Sequence, residues 1–224
     1  MLDRVALGSE NWREEATDHP VRIWRNAAGD GLGLFYFEVP PDIPVALAEI
    51  DELRRFFRVL VTEAGGGLIE LDVVTLDGLA GIRQIVKQPQ AGHGMTYIGS
   101  YTIPRRSFSY VVKIQCEERG MTGLRETAVL DQALAHGPQA LSKDGGMANW
   151  AADPYDPDFQ AAVLRNQAED ERYDEDFPDH PLSRLRRGLQ DVEASLSFAE
   201  SIKAAADFTP APRRRTKKPW WRFW

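Results

Sequence analysis

The sequence predicts an α+β fold: an antiparallel β-sheet flanked by helices, then a C-terminal amphipathic helix and a disordered tail. Three observations predict it. Two aromatic-rich strands lie either side of a glycine turn before residue 40, one strongly amphipathic helix spans about 45–63, and four strand-like runs follow between 68 and 116. Apolar residues make up 43% of the 224-residue chain and are concentrated before residue 135, which places the core there.

The first pair runs from Val21 to Val39. Val21, Ile23 and Trp24 precede a turn holding Gly29, Gly31 and Gly33, and Leu34 to Phe37 follow as a strand, so the pair reads as a hairpin. The glycines do not form a phosphate loop, because such a loop delivers its amides at a helix start and here a strand follows. Pro40, Pro41 and Pro44 end the strand, and a helix opens near Val45. Leu47, Ile50, Leu53, Phe57, Leu60 and Val61 then recur at spacings of three and four as far as Glu63, and Gly65 to Gly67 stop the helix.

The next runs are Leu68 to Thr75, Leu79 to Lys87, Met95 to Ile103 and Ser107 to Cys116. In the first, Ile69, Leu71 and Val73 alternate with Glu70, Asp72 and Val74, the period of a sheet with one buried face. Asp77-Gly78, the Gln90 to Gly94 loop and Pro104-Arg105-Arg106 supply turns, so the runs read as an antiparallel meander. A helix from about Gly123 to Ala135 follows, with Leu124, Ala128, Val129 and Leu134 expected inward.

Past His136 the texture changes. The reading divides the chain into a sandwich domain (1–136), an acidic irregular linker with a short helix at about Asp158 to Tyr173 (137–181), an amphipathic helix (182–206) and a basic aromatic tail (207–224). Between Asp153 and Asp179 ten acids face two arginines. In the helix, Leu182, Leu185, Leu189, Val192 and Leu196 form a seam that must bury itself against the domain, a second copy or another protein.

The order hairpin, amphipathic helix, four-strand meander, helix, together with the aliphatic strand Leu68 to Val74 leading into Leu76-Asp77-Gly78, resembles the PsbP-like α/β/α sandwich over about Val5 to Ala135. The resemblance implies an antiparallel sheet with helices on both sides. It also implies a binding or assembly role, since that fold is known mostly from such factors.

Chemistry-bearing patterns are sparse. His19, His93, His136 and His180 share no helical or strand spacing with one another or with acids, so no metal and no cofactor are expected. Asp153, Asp156 and Asp158 fall short of a calcium loop, which Pro154 and Pro157 interrupt. Cys116, the single cysteine, reads as a small buried hydrophobe, and Glu117 and Glu118 beside it would raise rather than lower its pKa. Met1 to Trp12 carries no basic-then-apolar run and no stretch reaches the length of a membrane span. A cytoplasmic location follows as the expectation.

Arg213, Arg214, Arg215, Lys217, Lys218 and Arg222 place six cations in the last twelve residues, interleaved with Trp220, Trp221, Phe223 and Trp224. The net charge is −7, so the remainder carries −13, and an acidic body disfavours nucleic acid. Such a segment is expected to be disordered when free and to dock its rings and arginines on a partner protein, with an anionic membrane surface second. The sequence therefore predicts a non-catalytic protein-binding adaptor or assembly factor. The alternative is a small-ligand binder or enzyme using a sandwich cleft near Tyr97, Tyr101 and His93.

Overall fold

A computed structural model of the protein describes residues 1–135 and 150–210. A short strand, β1 (Val5–Ala6), precedes β2 (Arg13–Asp18), β3 (Val21–Arg25) and β4 (Gly31–Phe37). Then come α1 (Ile50–Glu63), the strands β5 (Gly67–Leu76), β6 (Leu79–Pro89), β7 (Met95–Pro104) and β8 (Ser109–Glu117), and α2 (Leu124–Ala135). After residue 150 follow β9 (Ala151–Ala152), β10 (Arg165–Asn166), α3 (Pro181–Ser195), β11 (Ser197–Phe198) and α4 (Glu200–Lys203).

Strands β2 to β8 make one seven-stranded sheet in the order β2-β3-β4-β8-β7-β6-β5, with antiparallel pairing throughout. The α+β class and the helix-flanked antiparallel sheet are therefore as the sequence predicts. Asp77 and Gly78 take positive φ (44° and 83°) to close the β5–β6 hairpin, the backbone that a two-residue turn requires.

One face of the sheet meets α1, where Leu53 and Phe57 pack with Ile43, Leu68, Leu71 and Ile82. The other face meets α3, where Leu182, Leu185, Leu189, Val192 and Leu196 pack against Tyr97, Tyr101, Val112, Ile114 and Ile85. The leucine seam is thus buried in the chain's own sheet. Gly99 provides its seat: a Cβ there would lie 2.6 Å from Leu189 Cδ1 and 3.1 Å from Leu185 Cδ1.

Several expectations change. The helix expected over 182–206 stops at Ser195, because Leu196 turns extended (ψ 127°) and Ser197–Phe198 pair with Val5–Ala6. The boundary expected at 136 does not divide the packing, since α3 supplies the second helical layer. Asp158 to Tyr173 holds β10 and two single 3-10 turns, Gln167–Glu169 and Glu171–Tyr173, instead of a helix. α1 begins at Ile50 rather than near Val45. In β5 the simple alternation fails: a bulge between Leu68 and Glu70 sends Ile69 to the α3 core and Leu71 to the α1 core, and Val73 is exposed. In α2, Leu124 and Leu134 are exposed, while Arg125 and Val129 are buried.

Candidate functional site

Polar side chains gather at the end of the sheet where β6 and β8 finish and β7 begins. Glu118, just past β8, accepts the Met95 amide on Oε2 (2.7 Å) and the Gly123 amide on Oε1 (3.1 Å), which anchors the turn into α2. Tyr97, fully buried on β7, donates its hydroxyl to Glu169 Oε1 at 3.2 Å, and Glu126 Oε1 of α2 lies 3.5 Å from the same hydroxyl. Lys87 on β6 donates to Glu169 Oε2 at 2.8 Å, and the Asn166 amide donates to that oxygen at 2.8 Å.

His180 closes the group from α3. Its Nδ1 accepts the Leu182 amide at 3.2 Å and caps the helix. Its ring stands edge-on to Tyr97, with centroids 5.4 Å apart. Its other nitrogen, Nε2, lies 3.8 Å from Glu118 Oε1, has no hydrogen-bond partner and is shielded from solvent, as is Glu126 Oε2.

The surroundings tune these groups. Burial, then the positive Arg125 and Arg184, pushes the His180 pKa down to about 3, so the ring is neutral at pH 7. Because Nδ1 is an acceptor, Nε2 carries the proton. Burial, and after it the charges of Glu118 and Glu169, raises the Glu126 carboxyl. Burial and the neighbouring glutamates hold the Tyr97 phenol well above its usual range.

Beneath the cluster Arg125 is completely buried. It donates Nε to the Ala168 carbonyl, Nη1 to Asp174 Oδ1 (2.9 Å) and Ser183 Oγ (2.8 Å), and Nη2 to the Asp170 carbonyl (2.8 Å). Arg186 donates to both Asp174 oxygens at 3.0 Å, and Arg184 makes a two-point contact with Asp30 at 2.9 and 3.0 Å. These arginines join α2, the 167–174 segment and α3 into one unit.

Of the residues singled out from sequence, Tyr97 enters this cluster. Tyr101 is fully buried too, but its hydroxyl contacts the Leu189 carbonyl (3.1 Å) and Glu193 Oε2 (2.7 Å) under α3. His93 is exposed in the β6–β7 connection. The structure therefore does not bring His93 to the two tyrosines, and α3 fills the space where a cleft was expected. The docking residues Arg213, Arg214, Arg215, Lys217, Lys218, Trp220, Trp221, Arg222, Phe223 and Trp224 lie outside the described residues. Glu126, Glu169 and Lys87 escaped the sequence reading, which weighed His180 and Glu118 without placing them in a site. One signal was present: Lys87 shares parity with Ile85 on a strand, a cation in line with an inward apolar position. Among the described residues no helix is long and apolar enough to cross a membrane.

No family model matches the chain, and no curated protein matches it. Solved structures are similar over part of it, and two of them are these. A Pseudomonas aeruginosa protein of unknown function is 13% identical, with a TM-score of 0.32 over 55% of this chain and 78% of its own. The cyanobacterial PsbP of Synechocystis is 12% identical, with a TM-score of 0.32 over 59% of this chain and 85% of its own. The likeness to each is a weak one.

Proposed function

We propose that the chain is a non-catalytic binding protein, a cytoplasmic adaptor or assembly factor, whose residues 213–224 dock on a partner protein. The observation that carries this reading is the density of six cations and four large aromatics in those twelve residues, the side-chain types that dominate interface hot spots. The leucine seam of α3, the other surface that could have met a partner, is occupied by the chain's own sheet. The titratable groups of the fold support binding over catalysis. Cys116 is buried and its thiol is pushed up by burial and by Asp30, away from nucleophilic use, and His180 carries too low a pKa to exchange protons near neutrality.

The test compares the full chain with a full-chain variant carrying Trp220→Ala, Trp221→Ala and Trp224→Ala. Each is used to capture partners from extract and floated with vesicles containing anionic lipid. A stoichiometric protein partner lost with the variant is expected. Loss of vesicle binding alone would move the destination to a membrane surface, and identical behaviour of the two proteins would end the docking reading.

A further inference from the structure

Glu118, Glu126 and His180 come from three places in the chain: just past β8, the first turn of α2 and the N-cap of α3. The fold nevertheless brings one ligand atom of each within 4.8 Å of the other two. We propose that these three side chains form a binding site for one divalent transition-metal cation, with Zn²⁺ the best chemical match. This inference is independent of residues 213–224.

Two observations point to a ligand beyond the clustering itself. The His180 side chain is only 8% exposed, and its Nε2 is aimed at Glu118 with no hydrogen-bond partner. Glu126 Oε2 is likewise buried and unpartnered. Buried polar atoms almost always have a partner, and a bound cation would satisfy both atoms at once.

Charge favours the same occupant. Lys87 is held by Glu169, and neither Glu118 nor Glu126 has a lysine or arginine within ion-pair distance among the described residues. The cations facing His180 are each engaged by an acid: Arg125 and Arg186 by Asp174, Arg184 by Asp30. One imidazole and two carboxylates are a donor set that Zn²⁺ accepts, with a fourth position left for water. Mg²⁺ and Ca²⁺ prefer six or more oxygen ligands and fit it poorly. Tetrahedral ligands at zinc bond lengths sit about 3.4 Å apart, so side-chain rotation must draw the three atoms together by roughly 1 Å.

Binding has a structural consequence. Zinc on Nε2 displaces the ring proton to Nδ1, so the Leu182 amide loses its acceptor. The site is therefore expected to bind more weakly than a four-ligand structural zinc site.

The experiment uses chelator-stripped full-length protein titrated with ZnCl₂ by calorimetry, with MgCl₂ in parallel. One Zn²⁺ per chain and no Mg²⁺ uptake are expected. Glu126→Gln, which keeps shape, and His180→Asn, which keeps a good N-cap residue, should each weaken zinc binding at least about tenfold. A variant with His19, His93 and His136 all changed to Asn should bind as before. Nitrogen NMR of His180 should report the change from Nε2–H to Nδ1–H on zinc addition. Absence of binding at about 100 μM Zn²⁺, equal binding by the parent and the two site variants, or an unmoved His180 tautomer would each overturn the proposal.

Discussion

Arg125→Met tests the claim that a buried guanidinium joins α2 to the rest of the fold. Methionine occupies much of the same space, so the cavity term is small and the loss is electrostatic. Asp174 keeps Arg186, and Ser183 keeps Asp174 (3.1 Å), so those groups remain partnered. The carbonyl of Asp170 keeps the Tyr173 amide (3.2 Å), whereas that of Ala168 is left without its donor. A buried acceptor left unsatisfied costs about 1–3 kcal/mol. That range applies at Ala168, which is completely buried. A loss of about 1–3 kcal/mol is a substantial share of the roughly 5–15 kcal/mol that stabilises a domain. In urea, at a slope of about 2 kcal/mol per molar, the midpoint should fall by roughly 0.5–1.5 M. Far-UV circular dichroism and tryptophan fluorescence should report the same transition. Arg125→Lys should recover only part of the loss, since one ammonium cannot reach four acceptors spread across the 167–174 segment and α3. A midpoint shift below about 0.5 M for the methionine variant would refute the assignment.

Three further outcomes follow from the packing and the charges. Gly99→Ala should cost about 1–3 kcal/mol by pushing α3 off the sheet, Leu189→Ala about 2–5 kcal/mol, and the double variant less than the sum, read by thermal melts; a neutral Gly99→Ala would contradict the close approach at Leu189. Cys116, 1% exposed, should resist thiol reagents until denaturant unfolds the chain, and rapid labelling of the native protein would disprove its burial. At Asp30 burial raises the carboxyl pKa, but hydrogen bonds from Arg184 and Asn26 outweigh it and leave it below the usual 3.8. Its stabilisation is therefore present above pH 3.8 and is lost as pH falls through the lower folded-state value. Asp30→Asn should flatten that acid limb of the stability curve, and an unchanged limb would count against the pair.

The central elements were legible because local signals agreed there. The three-and-four spacing of Leu53, Phe57, Leu60 and Val61 ends at a glycine run, and turn residues separate β5 to β8 at nearly every junction. β2 was not legible: Arg13–Asp18 is polar and exposed along its length, and it forms through backbone pairing with β3 rather than through an apolar face. The α3 seam was legible as a seam but its destination was not, since periodicity specifies which residues need burial and not what buries them. α2 shows the opposite failure. Helical periodicity chose Leu124, yet Arg125 faces inward because its acceptors, Ala168, Asp170 and Asp174, arrive from more than forty residues later. The His180 cluster was hidden for the same reason: its residues share no sequence spacing and meet only through the tertiary fold.

That long-range pairing also bears on the acidic stretch from Asp153 to Asp179, which from sequence looks like a natural counterpart for the basic residues 213–224. Five of its ten acids have cationic partners among the described residues. Asp153 and Asp156 meet Arg58, Glu169 meets Lys87, Asp170 meets Arg165, and Asp174 meets Arg125 and Arg186. The most buried of them, Asp153 and Glu169, have side chains 2% and 0% exposed, where a second cation would have to displace the first and desolvate. What the stretch still offers is exposed carboxylates, whose attraction for arginine is weak and screened by salt. An external surface presenting acids around an apolar groove would compete well against that, because it takes the rings and the charges together.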